Sequence, residues 1–227
     1  MSSPLTLQVV KHLASEQVAQ RKLRDALQKA YPVALANRDN PSLNEILKSS
    51  VPYLDAFIQE VLRISNPIAF VAKETIRDME ILGHRIPAGT TLMLSTSGPT
   101  MTQKGVRVDQ KRRSATYKEN EAVMDWGESD FAPNEFHADR WLRIDPATGA
   151  EVFDSAAGPF LSFSNGPRTC WGKRLALMEL KLIVTLLVWN FEFREIPEGL
   201  RDNTVLDGLF MKPLTCYVQL EQVFQNN

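Results

Sequence analysis

Phe163-Ser164-Asn165-Gly166-Pro167-Arg168-Thr169-Cys170-Trp171-Gly172 stands directly before a strongly helical, largely apolar stretch, Gly172 to Asn190, of a 227-residue chain. Gly166 and Gly172 permit positive φ and let the backbone approach a bulky planar group, while Pro167 stiffens the loop between them. Cys170 is expected at the start of the helix, where free N–H groups and the positive dipole end favour thiolate over thiol. Arg168, two residues away, offers a planar cationic fork suited to a carboxylate. A thiolate on a rigid loop beside an arginine is the chemistry of a single-cysteine metal ligand, whereas a bare cysteine is more often an inert core residue. From Leu175 to Trp189 the helix is apolar almost all round, which predicts a buried helix with Trp171 and Ala176 packed beside the loop.

Outward from this loop the periodicity is first helical. Leu5, Val9 and Leu13 recur at helical spacing; after a candidate cap at Ser15, Val18, Leu23, Ala26, Leu27 and Ala30 continue a second amphipathic stretch, ended by Tyr31-Pro32. Residues 33–50 read as a polar connection with a short helical piece around Leu43 to Leu47. A helix starting near Pro52 carries Leu54, Phe57, Ile58, Val61 and Leu62 on its apolar face and stops at Asn66-Pro67. It also carries Glu60 and Arg63 at i, i+3, the spacing of an ordinary helix-surface ion pair.

Short β-type runs follow at Ile68 to Val71, Glu80 to Leu82 and Thr90 to Leu94. Gly83-His84-Arg85 and Ile86-Pro87-Ala88-Gly89 look like the turns between them. Residues 97–160 are irregular and include a charged run, Asp109 to Arg113; so long a stretch in a compact domain marks a functional loop region. After Phe191-Glu192-Phe193 the tail alternates in short strands, with Cys216 to Leu220 the clearest. The pattern is mainly α with small β-sheets, an α+β fold.

Composition narrows the function classes. Apolar residues at 44% and charged residues at 23% are ordinary for a globular domain, and a net charge of −1 leaves no global footprint for nucleic acid. Two cysteines, Cys170 and Cys216, are no disulfide framework, and the three histidines, His12, His84 and His137, form no metal-binding spacing. The most apolar run, Leu182 to Trp189, is far short of the roughly 20 residues of a transmembrane helix, and no signal peptide opens the chain.

The loop from Phe163 to Gly172 resembles the haem-ligand loop of the cytochromes P-450, F-x-x-G-x-R-x-C-x-G, at every defined position. Glu60-Val61-Leu62-Arg63 fits that family's E-x-x-R. Phe131-Ala132-Pro133-Asn134-Glu135-Phe136-His137-Ala138-Asp139-Arg140-Trp141 resembles its F-x-P-x-x-F-x-P-E-R-F/W segment, with Ala138-Asp139 in place of Pro-Glu. Asp78 to Gly83 and Ile86 to Thr90 resemble the family's β-hairpin, and Leu13 to Arg24 the helix before E-x-x-R. The ending Arg140-Trp141-Leu142 is similar to that of fungal secondary-metabolism members.

The resemblance implies the C-terminal part of the cytochrome P-450 fold: E-x-x-R helix, β-hairpin, irregular meander, cysteine loop and the helix after it. It implies a monooxygenase that inserts one atom of O2 into a small apolar organic substrate, with haem b as cofactor and electrons from an NADPH-dependent cytochrome P-450 reductase. Cys170 would be the axial iron ligand, Phe163 would lie against the haem, Gly166 and Gly172 would shape the loop, and Arg168 would pair with a propionate. Lys73 falls where relatives have a second propionate-facing cation, and Glu60, Arg63 and Arg140 would form a buried ion network. The family's oxygen-activating acid–threonine pair is expected upstream of Met1, so that residues 1–227 form a partial domain with no catalytic acid–threonine pair of its own. The membrane anchor by which many eukaryotic relatives sit in the endoplasmic reticulum is likewise not in these residues. The Ile68 to Val71 strand and the Leu206 to Met211 turn are the remaining candidates for substrate contact. Two other readings fit the same resemblance: a haem-thiolate isomerase or dehydratase that needs no reductase, and a non-catalytic or relic haem-binding fragment.

Overall fold

A computed structural model of the chain describes residues 3–103, 109–119, 131–202, 204–206 and 210–224. Two helices open the chain, α1 (Ser3–Ser15) and α2 (Gln17–Ala30). The break between them falls at Glu16, with no side-chain cap, so Ser15 ends α1 instead of capping α2; its hydroxyl lies near His12 O. Leu23 and Leu27 of α2 are fully buried while Arg21, Lys22 and Asp25 face solvent, the division its apolar spacing predicts.

Tyr31-Pro32 ends α2, yet the chain re-enters helix at once in α3 (Pro32–Asn37), because proline suits the first turn of a new helix. The expected polar connection over 33–50 is therefore largely helical. It continues in α4 (Leu43–Lys48), which starts with a complete capping box between Ser42 and Glu45. In α5 (Pro52–Ile64) every residue from Ala56 to Arg63 is buried, Glu60 and Arg63 included.

The β-structure among the described residues consists of two-stranded antiparallel sheets. β1 (Phe70–Glu74) pairs with β4 (Thr91–Ser95), Lys73 opposite Leu92. Between them, β2 (Met79–Ile81) and β3 (His84–Ile86) form a hairpin in which Ile81 faces His84. The turn is thus Leu82-Gly83, and His84-Arg85 belongs to a strand, contrary to the sequence expectation. Both turn residues have positive φ, 51° and 86°, as a two-residue turn matched to strand twist requires. Short helices α6 (Pro99–Thr102) and α7 (Ala115–Glu119) follow. Then come β5 (Leu142–Ile144) with β6 (Glu151–Phe153), and the long helix α8 (Lys173–Asn190). The tail holds β7 (Phe191–Arg194) with β10 (Gln219–Gln222), and β8 (Val205–Leu206) with β9 (Lys212–Pro213). The last strand begins at Gln219, so Cys216 to Val218 precede it.

One core joins these elements: Leu13, Leu23, Leu27, Phe57 and Val61 meet Val184, Val188, Trp189 and Phe193. The buried residues of α8 run from Leu180 to Trp189. Leu175 and Met178 are exposed, and Trp171 is fully exposed and unpacked, correcting the expectation of a helix buried throughout with Trp171 beside it. The reason is geometric: the first half of α8 fronts an open cavity. No helix among the described residues is long and apolar enough to cross a membrane.

Side-chain amides lock α2 onto the α8–β7 junction. Gln20 donates to Leu13 O at 3.1 Å and Phe193 O at 2.9 Å, and accepts from Phe193 N at 2.8 Å. Gln17 reaches Phe193 O at 2.9 Å, and Arg24 reaches Phe191 O at 2.8 Å. Gln20→Leu should keep the packing volume but strand the Phe193 N–H in a buried site. A loss of about 1–3 kcal/mol is expected in urea unfolding, while exposed Lys29→Ala should change little.

Candidate functional site

The site begins at a buried carboxylate. Glu60 Oε1 accepts hydrogen bonds from Arg63 Nη2 at 2.8 Å, Arg140 Nε at 2.9 Å and the His137 amide at 2.8 Å. Its Oε2 accepts from Arg63 Nε and from the Trp141 indole N–H, each at 2.8 Å. Arg63 also donates to Met101 O, to Pro133 O at 2.6 Å and to Glu135 O at 3.1 Å; Arg140 donates to Ala132 O at 2.9 Å. Glu60 and Arg63 thereby staple residues 131–141 to α5. Burial works to raise the Glu60 pKa, but the Arg63 bonds, the charges of Arg63 and Arg140 and the His137 amide outweigh it, holding the carboxyl below its ordinary range. Asp139, in the place of the family's glutamate, pairs with Lys22 at the surface, and Ala138 beside it is buried.

Trp141 carries this order toward the cysteine loop. Its ring meets Phe160 edge-on at 6.1 Å, and Phe160 meets Phe163 at 6.3 Å. Ser162 Oγ donates to Leu62 O at 2.8 Å, tying the approach to the loop back to α5. The loop itself is closed on Phe163 O, which accepts from Cys170 N at 2.8 Å and from Thr169 Oγ1 at 3.0 Å. A single 3₁₀ turn spans Gly166–Arg168, opened by Asn165 Oδ1 accepting from Gly166 N at 2.7 Å. Gly166 has φ 78°, and Ser164 adopts φ 59°, a strained conformation for a residue with a Cβ that the surrounding bonds enforce.

Two loop expectations change. Gly172 has φ −82°, so its role is not positive φ; a Cβ there would lie 3.9 Å from Cys170 Sγ, so the glycine leaves room beside the sulfur. Cys170 precedes the helix instead of starting it, since α8 begins at Lys173, whose amide bonds Cys170 O at 3.2 Å.

Cys170 is exposed, toward a cavity of about 1350 Å³ between the loop, the first half of α8 and β1. Phe163, Arg168, Gly172 and Lys73 share its lining, whereas Gly166 stays in the loop behind it; Ile68 and Val71 from the candidate substrate strand, with Leu175 and Leu180, supply apolar wall. Of the Leu206 to Met211 turn, Phe210 reaches the wall, and residues 207–209 lie outside the described ones. The volume exceeds the ~300–1,000 Å³ of ordinary small-molecule pockets. Glu74 and Glu179 also line the cavity; its apolar wall, outward sulfur, glycine gap beside the sulfur and the cations Lys73 and Arg168 can take a large planar apolar group bearing acidic substituents. Among the described residues no cluster of three His, Cys, Asp or Glu forms a metal cage.

Phe160 and Ser162 are contributors that motif reading passed over, and Trp141, quoted as a motif position, was given no part in the ion network. The signal for Trp141 was its indole N–H, which needs a partner wherever the ring is buried.

A family model described as Cytochrome P450 matches residues 1–103 and 131–220. The chain is 34% identical to the Hps1-dma1 cluster cytochrome P450 monooxygenase cyp3.1 of Dothistroma septosporum, over 93% of its own length and 70% of the relative's. It is 34% identical to cytochrome P450 monooxygenase TRI13 of Fusarium sporotrichioides over 98% of this chain and 40% of that protein. With cytochrome P450 monooxygenase GME11363 of Pestalotiopsis microspora it shares 35% identity, over 93% of this chain and 37% of the relative. It thus spans well under half the length of the latter two.

Two outcomes test this site. Glu60→Ala leaves two buried guanidinium groups and an indole N–H facing no anion, and should cost about 3–5 kcal/mol in urea unfolding. Asp139→Ala, at the exposed pair with Lys22, should cost at most about 1 kcal/mol. The second outcome concerns pH. His12 stacks on Phe136 with ring centroids 5.0 Å apart and has Nε2 2.8 Å from Ser65 Oγ. Burial lowers its pKa from 6.5 to about 4, opposed in part by the charge of Glu60. Between these values the unfolded chain takes up a proton that the folded chain refuses, so stability falls as pH drops from 6.5 toward 4. The slope approaches about 1.4 kcal/mol per pH unit for one proton. His12→Gln should flatten that window in pH-dependent unfolding.

Proposed function

The chain belongs to the cytochrome P450 family, and from that premise we propose that it serves as a haem-thiolate monooxygenase in which Cys170 ligates the iron of haem b. The observation that carries this reading is the outward Cys170 sulfur in an apolar cavity that also receives Lys73 and Arg168. Thiolate-ligated haem, when bound, supplies the electron push that favours O–O cleavage and so the oxidation of unactivated C–H bonds.

The residues of this chain hold and orient. Cys170 would present its sulfur from a loop closed on Phe163 O, with the Gly172 gap giving access to it. Arg168 and Lys73 would take the two propionates: Arg168 with its planar fork, Lys73 as a point charge without bidentate geometry. Phe163, buried between the loop and Phe160, would keep water from the sulfur side, and Ile68 and Val71 would line the side facing an apolar substrate. The network of Glu60, Arg63 and Arg140 would act at a distance, by fixing the segment that supports the loop. None of these groups is placed as a general acid or base. The co-substrate is O2 and the electron source an NADPH-dependent reductase. The fungal relatives, one named for a gene cluster, support oxidation of a secondary metabolite as the class of reaction.

Haemin titration of the chain, read by absorbance after reduction under carbon monoxide, tests the assignment. Cys170→Ala should abolish the thiolate-type spectrum, and Cys216→Ala should preserve it. Equal loss from both substitutions, or none from the first, overturns Cys170 as the ligand. Product formation that requires reductase and NADPH supports the monooxygenase; turnover without them would point to an isomerase or dehydratase, and haem binding with no turnover under either condition to a non-catalytic chain.

A further inference from the structure

Beside the cysteine cavity lies a second, smaller one of about 530 Å³, within the ~300–1,000 Å³ of ordinary small-molecule sites. No residue lines both, yet they share a wall. Asn66, Ser97 and Met211 face the smaller cavity, and the adjoining Pro67, Thr96 and Phe210 face the larger. Hydrogen bonds knit that wall, from Met211 N to Pro67 O and from Asn66 Nδ2 to Thr96 O, each at 2.7 Å. The remaining walls are one face of α1, carrying Gln8, Lys11, His12 and Ser15, and the tail around β8 and β9. Ile64, Ile196, Leu200, Val205, Met211 and Pro213 make the lining mainly apolar.

The charged groups at this cavity are already engaged. Lys11 Nζ donates to Asp202 O, and Arg201 pairs with Glu195 and donates from Nε to Ile196 O at 2.9 Å. Glu16 accepts from Ser15 Oγ at 3.4 Å and offsets one of the two cations. The His12 ring has its Nε2 2.8 Å from Ser65 Oγ, and the Asn66 carboxamide accepts from the Ile68 amide at 3.3 Å as well as donating to Thr96 O. An ion entering here would find no uncommitted counter-charge.

Gln8 is the exception. It is 7% exposed, and its side-chain amide makes no hydrogen bond among the described residues. A carboxamide can donate and accept at once, and a hydroxyl group answers both functions. Leaving such a group unpaired in a mainly apolar enclosure is costly, and a few polar groups on an apolar wall are what orient a ligand in a small-molecule site.

We propose that this cavity is a second ligand site, for an uncharged, mainly apolar small molecule whose hydroxyl group exchanges hydrogen bonds with the Gln8 amide. The site uses neither Cys170 nor haem, so it stands or falls apart from the monooxygenase reading.

The methyl group of Met211 can report occupancy from the wall itself. The whole chain, labelled with carbon-13 at its methionine methyl groups, is titrated with 2-naphthol and followed by NMR, the Met211 signal being assigned with Met211→Leu. A saturable ring-current shift of that signal is expected. Gln8→Leu keeps the side-chain volume and strands no polar group, and it should weaken 2-naphthol binding about tenfold while changing naphthalene, which lacks the hydroxyl, by less than about twofold. The anion 2-naphthoate should bind the parent chain more weakly than 2-naphthol does. Val205→Trp, at a partly exposed position of β8, should fill the cavity and remove the Met211 response, whereas Leu175→Trp, in the larger cavity, should preserve it. The proposal is overturned if Met211 shows no saturable shift, which would leave the cavity to water, or if Gln8→Leu affects 2-naphthol and naphthalene alike. It is also overturned by a preference for 2-naphthoate, which would make this an anion site, or by a response that Leu175→Trp removes and Val205→Trp does not.

Discussion

The rest of the structure depends on one carboxylate that has no access to water. Glu60 sits on a helix buried on nearly all sides, and its two oxygens receive donors from its own helix and from the segment at 137–141. Burying these charges carries a desolvation cost, and exchanging such a group for apolar residues is often neutral or stabilising elsewhere. What it provides here is direction. An apolar contact tolerates sliding, whereas a carboxylate shared by two guanidinium groups, an indole and an amide admits one arrangement of the segment that supplies them.

That arrangement reaches the cysteine loop by two routes. One runs through rings, from Trp141 to Phe160 to Phe163; the other through Ser162, hydrogen-bonded to the carbonyl of Leu62. Both arrive at the loop's closing carbonyl or the residue next to it. The strained backbone of Ser164 lies at that junction and is held by bonds on either side. A loop whose own polar groups satisfy one another in this way can present a side chain outward without first being organised by whatever binds there.

Much of the fold was legible in local patterns, since helix α5 and the buried face of α2 follow from spacing and from proline positions. What escaped was of another kind. Trp171 and the front of α8 are apolar and were expected inside, but burial depends on what surrounds a residue as well as on its own character. The hairpin register was misread because Leu82, a poor residue for positive φ, occupies a turn position that glycine or asparagine usually fills. At the candidate site, E-x-x-R spacing puts Glu60 and Arg63 on one helical face. The contact of Glu60 with Arg140 spans 80 positions, and no local pattern encodes a meeting at that separation.

That separation also orders events in time. The pair of Glu60 and Arg63 is formed within one helical turn and closes no loop, so α5 can leave water as a self-neutralised unit. Arg140 and Trp141 must cross a long intervening chain before reaching the same oxygens, and long-range closure is slow. The cysteine loop thus rests on contacts of two kinds: a pair made within one helical turn, and contacts that only the folded chain brings together across 80 and 81 positions.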